Sequence, residues 1–163
     1  MAEYEKAPEI EVIGNTLIQA YHSHLKEAKI SYVFQDKAAK FSDGRTILGK
    51  AAGRSNLDKL LSERKEDFVI IIGKDRWEKM TEVERRALVD HELCHCGIVM
   101  DAQGHTKFAM RGHPIEEFPE NLARFEHRRQ RIGLLIENPP SAIAIKQEAP
   151  RKIEPATKEE EEK

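Results

Sequence analysis

The chain has 163 residues, of which 34% are charged, and its formal net charge is only −2. That length suffices for one domain with a real core, and the charge balance argues against a protein built to coat nucleic acid or grip polyanions. No apolar run approaches the roughly 20 residues of a membrane span, and Met1–Glu5 lacks the basic-then-apolar order of a signal peptide.

Residues 9–27 read as an amphipathic helix, with Ile10, Ile13, Leu17, Ala20, Tyr21, His24 and Leu25 at helical spacing. His22 and His24 read as surface or core-edge residues. Ile30 to Phe34 reads as a strand. A turn at Ser42-Asp43-Gly44 and a second strand near residues 45–51 follow. Gly49 to Ser55 has a loose likeness to a phosphate loop, but its glycine spacing is wrong and no Gly-Lys-Ser/Thr follows, so a loop or strand is expected. Residues 67–73 form the strongest strand, and their continuous apolar run predicts burial on both faces. Asp75 is expected to cap a short helix carrying Trp77 and Met80.

Thr81-Glu82-Val83-Glu84 is a capping box, in which Thr81 and Glu84 satisfy each other's backbone N–H groups. It predicts a helix from Thr81 to about Val99. Residues 101–104 then read as a turn and 105–110 as a strand. Pro114 suits a first helical position and would place His113 at the cap. Ile115, Phe118, Leu122 and Phe125 form an apolar stripe at helical spacing that Pro119 should kink. Arg124, Arg128, Arg129 and Arg131 make this helix basic, and a solvated cationic face is the simpler reading than a nucleic-acid contact. From Pro139 the composition shifts to Pro, Ala, Lys and Glu, so the expected division is a domain at 1–138 and a disordered charged tail at 139–163.

The predicted helix after Thr81 carries His91-Glu92-Leu93-Cys94-His95, a His-Glu-x-x-His motif. Histidines four apart lie on one helix face about a turn apart, so two imidazoles can grip one metal ion. Glu92 adjoins His91 and can take a proton from a water that the metal has acidified. The residue types and spacing therefore point to hydrolysis by a metal-activated water, with Zn2+ as the metal. Ala87, Leu88, Val89, Leu93, Cys94, Cys96, Ile98 and Val99 surround the motif, so this helix is expected to be buried on most sides. Cys94 and Cys96, the only cysteines, point to nearly opposite sides of such a helix and should not bridge. Cys94 reads as a core thiol rather than a ligand. Unpaired thiols fit a reducing, cytoplasmic compartment. The preceding buried strand should lie beside this helix and give an extended substrate an edge to pair with.

A catalytic zinc needs a third protein ligand and an open position. The candidates are Asp101, His105, His113, Glu116 and Glu117. His113, fixed by Gly112 and a helix cap, is favoured.

The run Ala87-Leu88-Val89-Asp90-His91-Glu92-Leu93-Cys94-His95-Cys96, followed by His113-Pro114-Ile115-Glu116-Glu117-Phe118, resembles the putative phage metallopeptidase family. It is also similar in motif to the SprT and Spartan zinc proteases, where a Gly-His precedes a Glu-Phe after a similar gap. The resemblance covers residues 9–135 in layout, and the two motifs carry it. It implies a zincin-like α+β fold with a small, mainly antiparallel sheet packed on helices, His91, His95 and His113 as metal ligands, and Glu92 as catalytic base. Members of the phage family often have Asp after the third histidine, where Pro114 stands here. The implied partner is a protein or peptide substrate, in the host cytoplasm for a phage-encoded chain. Spartan-like proteases cut proteins crosslinked to DNA, and the arginines of 124–131 are compatible with that. The competing expectations are a catalytically silent zincin-like binding module and a DNA-associated accessory protein.

Overall fold

The computed structural model describes residues 1–145 of the chain. It begins with β1 (Tyr4–Lys6) and α1 (Pro8–Tyr21). Pro8 opens α1 because a first-turn residue needs no N–H partner. Ile10, Leu17 and Ile18 face the core. The helix does not run to residue 27. It stops at His22, which leaves helical geometry (φ −121°, ψ 53°), and a short 3-10 turn at Ser23–Leu25 follows. The break turns the His22 ring inward, where its Nε2 meets Asp90 Oδ1 at 2.7 Å. Tyr21, expected in the apolar stripe, is exposed.

The next elements are β2 (Ile30–Gln35), a hairpin of β3 (Ala39–Lys40) and β4 (Thr46–Ile47), β5 (Gly49–Gly53), α2 (Asn56–Leu61) and β6 (Phe68–Gly73). Gly44 holds φ +86° in the hairpin turn, a conformation that glycine adopts without a Cβ penalty. The main sheet has the order β1-β2-β6-β5. Its outer pairs are antiparallel, as expected, but the central pair β2–β6 is parallel, with Ile30 opposite Phe68 and Gln35 opposite Gly73. The sheet is therefore mixed. Phe68, Ile70 and Ile72 are fully buried, whereas Val69 and Ile71 on the other face are only half-covered. The apolar run does not mean burial on both faces here, because the helices pack on one side.

α3 (Lys74–Trp77) is a single turn that buries Trp77. Gly73 precedes it at the cap. The Asp75 carboxylate accepts the Ala38 N–H at 2.7 Å instead of capping the helix, and Met80 lies beyond it. α4 (Glu82–Cys94) starts at the capping box as expected: Glu84 Oε2 accepts the Thr81 N–H at 2.8 Å, and Thr81 Oγ1 accepts the Glu84 N–H at 3.3 Å. It ends at Cys94, five residues short of Val99. The chain turns at His95 into β7 (Cys96–Met100), which pairs antiparallel with β8 (Thr106–Met110). Gly97 is a poor helix residue, and Ile98 and Val99 are β-branched, so the paired strand wins over the helix.

Residues 111–118 carry no helix, so Pro114 does not open one and His113 is not a cap. Pro119 starts α5 (Pro119–Arg124) rather than kinking it. Phe125, extended at φ −125° and ψ 106°, separates α5 from α6 (Glu126–Glu137). The predicted stripe is split, and Phe118 and Phe125 remain exposed. β9 (Ile143–Ile145) joins β7 in parallel, beyond the compositional boundary at 138. Residues 146–163, the rest of the charged tail, lie outside the described residues. Among the described residues no helix is long and apolar enough to cross a membrane.

One core joins α1, β2, β6, α3 and α4 through Ile10, Leu17, Phe34, Ile72, Trp77, Val89 and Leu93. The closest approach of α1 to the sheet is at Gly14, where an added Cβ would lie 2.4 Å from the Tyr32 hydroxyl and 2.7 Å from its ring. Gly14→Ala would gain at most about 1 kcal/mol of helix propensity against an overpacking cost of about 1–3 kcal/mol. The expected result is a net loss of stability in urea denaturation, partly restored by adding Tyr32→Phe. An unchanged midpoint would show that this contact relaxes freely.

Candidate metal site at the end of α4

The capping box fixes where α4 begins, and the burial of Val89 and Leu93 fixes its rotation. His91 and His95 then project from the final turn into a cleft, where their rings lie 5.1 Å apart between centroids. His113 enters from the loop after β8. Its Nε2 is 3.1 Å from His91 Nε2, and its ring is 4.4 Å from that of His95. One ligand nitrogen from each of the three residues lies within 4.8 Å of the other two. Metal–nitrogen bonds of about 2.0–2.1 Å at tetrahedral angles require nitrogens roughly 3.3 Å apart, so small ring rotations suffice to hold one ion.

The His95 ring has its own support. Its Nδ1 lies 2.7 Å from the Arg111 carbonyl oxygen. A carbonyl only accepts, so Nδ1 carries the proton and Nε2 keeps its lone pair. The Arg111 N–H returns a bond to the His95 carbonyl, also at 2.7 Å. This reciprocal pair locks tautomer and orientation together. Burial and the neighbouring His95 and His113 hold His91 below the usual histidine range, which favours its neutral, lone-pair-bearing form.

Glu92 is buried, at 4% exposure, and lines the same cleft. Burial pushes its carboxyl above the usual carboxylate range, while the neighbouring His95 imidazole and the Ala51 backbone pull the other way. Its near neighbour is β5: a Cβ on Gly49 would lie 2.8 Å from Glu92 Oε1. The strand beside the site is therefore β5, the open edge of the sheet, and not the buried β6. The cleft encloses about 660 Å3 and has apolar walls that include Phe41, Ile47, Leu48 and Met110.

The other ligand candidates are elsewhere. Asp101 and His105 pair with each other in the β7–β8 turn at 3.1 Å. Glu117 is drawn to Arg128, whose Nε lies 2.8 Å from its Oε2. Glu116 is exposed, with its Oε1 3.9 Å from His113 Nδ1. Of the arginines, Arg128 and Arg129 form ion pairs with Glu117 and Glu126, and Arg124 ends α5. Cys94 is not a core thiol: it is exposed, and Cys96 is the buried one. The roles of Gly49, Ala51 and the Arg111 carbonyl had no signal in the sequence. Two are backbone groups that any residue supplies, and the third is an absent side chain.

The arrangement defines an α+β protein with a three-histidine group able to hold a metal, beside a buried carboxylate. The chain belongs to the putative phage metallopeptidase family, whose family model matches residues 2–138. No curated protein and no solved structure matches it.

The raised Glu92 pKa has a signed consequence in metal-free protein. A carboxyl held above its unfolded value costs nothing when protonated in both states. It costs stability as pH rises from the unfolded value through the folded one. Glu92→Gln keeps the shape and removes the charge. It should therefore stabilise the metal-free protein relative to the parent at pH 7 and lose that advantage near pH 4. Urea midpoints at the two pH values test this; a constant difference would mean that Glu92 is not penalised by burial.

Proposed function

We propose that this protein is a zincin-like, zinc-dependent peptidase that hydrolyses peptide bonds in the cleft between α4 and β5. The observation that carries the reading is the convergence of three imidazole nitrogens within 4.8 Å beside a buried Glu92. His91, His95 and His113 would hold the ion, and an all-imidazole donor set suits Zn2+. Bound there, Zn2+ supplies Lewis acidity that lowers the pKa of water towards 7.

The chain's own groups do the rest. Glu92 accepts a proton from the attacking water and passes it to the leaving amine. A carboxyl raised by burial serves both steps better than one in the ordinary range, because its pKa lies nearer the working pH. β5 ends the main sheet and lines the cleft, so an extended peptide can add to it as a strand. Phe41, Ile47 and Met110 offer apolar contacts to its side chains. Arg128 and Arg129 are already engaged with carboxylates, which argues against extending the reading to DNA-bound substrates.

Two variants separate the roles. Glu92→Gln should retain bound zinc while turnover of an unstructured protein substrate falls by roughly 10²–10⁴. His113→Ala should lose zinc and activity together. Metal analysis of both proteins with a cleavage assay is the test. Equal metal loss in the two would make Glu92 structural, and full activity in Glu92→Gln would sink the peptidase reading in favour of a silent binding module.

A further inference from the structure

An adjacent flank of α4 carries a second set of donors. Asp90 and Cys94 are four residues apart, each one position before a histidine of the site above. They lie one helical turn from each other and about 100° round the axis from the histidine pair. His22 meets them from the break at the end of α1. Its Nε2 is 2.7 Å from Asp90 Oδ1, and one ligand atom from each of His22, Asp90 and Cys94 lies within 4.8 Å of the other two.

We propose that His22, Asp90 and Cys94 form a second divalent-cation site, selective for a thiophilic ion such as Zn2+, that staples α1 to α4. Three observations carry this. The donors are an imidazole, a carboxylate and a thiol, the three ligand types that Zn2+ takes from proteins, with bonds of about 2.0–2.3 Å. Those bonds demand ligand atoms roughly 3.3–3.7 Å apart, so rotamer adjustments of the present arrangement close the site. The His22 side chain is 92% buried by complement of its 8% exposure, whereas Asp90 is 43% exposed and Cys94 is exposed. One ligand is thus fixed in the core while the other two face solvent, which leaves an entry path and room for a water as fourth ligand.

Charge favours the same conclusion. A divalent cation here is attracted to the Asp90 carboxylate and to the Cys94 thiolate that forms on binding. Binding displaces the Cys94 proton to solvent. The consequence is mechanical. The His22 break holds the end of α1, and in the same segment His24 Nε2 donates to the Cys96 carbonyl at 2.9 Å. An ion here would pin the end of α4 from behind, and so steady His91 and His95 from the side away from the cleft.

Cobalt distinguishes the two sites, because only the second contains sulfur. Full-length metal-free protein is titrated with Co2+ and followed by ultraviolet absorption, with equilibrium dialysis for stoichiometry. The expected result is two equivalents bound, one of them with a sulfur-to-cobalt charge-transfer band. Cys94→Ser should abolish the band and leave the other equivalent. Asp90→Asn should weaken the band's saturation at least tenfold. His91→Ala should lose the sulfur-free equivalent and keep the band, so failure of the histidine site reads differently from failure of this one. Absence of the band at cobalt concentrations that fill the histidine site would overturn the proposal. So would its persistence in Cys94→Ser, which would assign it to Cys96.

Discussion

The structure depends on the rotation of α4. Val89 and Leu93, a turn apart and both fully buried, key the helix into the core formed with α1, β2 and β6. Burying two such side chains contributes about 3–6 kcal/mol, far more than any single contact at the site. Every chemical group on the helix inherits its direction from that seating. His91 and His95 face the cleft, Glu92 faces β5, and Asp90 and Cys94 face the end of α1. A rotation that exchanged these faces would put Leu93 in water and a carboxylate in the core.

The same seating explains why a carboxylate is buried at all. A buried charge costs free energy unless it is paired or hydrogen-bonded. Burial of Glu92 is offset only in part, by the nearby His95 and the Ala51 backbone, so its carboxyl stays above the usual range. Gly49 contributes by having no side chain, since even a methyl group would press on Glu92 Oε1. The edge strand thus plays two parts. It lies against the buried carboxylate at Gly49 and leaves one edge of the main sheet unpaired.

His113 reaches the cluster because of how the chain leaves the helix. β7 follows α4 after a single residue and pairs back with β8, so the chain returns to the end of α4 at Arg111. The reciprocal bonds between His95 and Arg111 close this return, and His113 lies two residues further on. A longer α4, as the local pattern predicts, would carry Cys96–Met100 away from that point and leave the third histidine without a route to the first two.

The sequence by itself determined the parts that rest on local physics. The Thr81–Glu84 box starts α4, the run from Phe68 marks the buried strand, and the four-residue spacing puts His91 and His95 on one face. His113 does come to the other two histidines, but a loop, not the helix cap expected from Pro114, delivers it. Only the tertiary structure decided where α4 ends, because strand pairing across the β7–β8 hairpin outweighs helix propensity at Cys96–Met100. It alone set β5 rather than β6 beside the site, since sheet order depends on contacts distant in sequence. It also turned Cys94 outward and Cys96 inward, which no periodicity could assign once the helix stopped between them. Spacing along a helix is fixed by backbone geometry, but the partner that faces it is chosen by the folding of the whole chain.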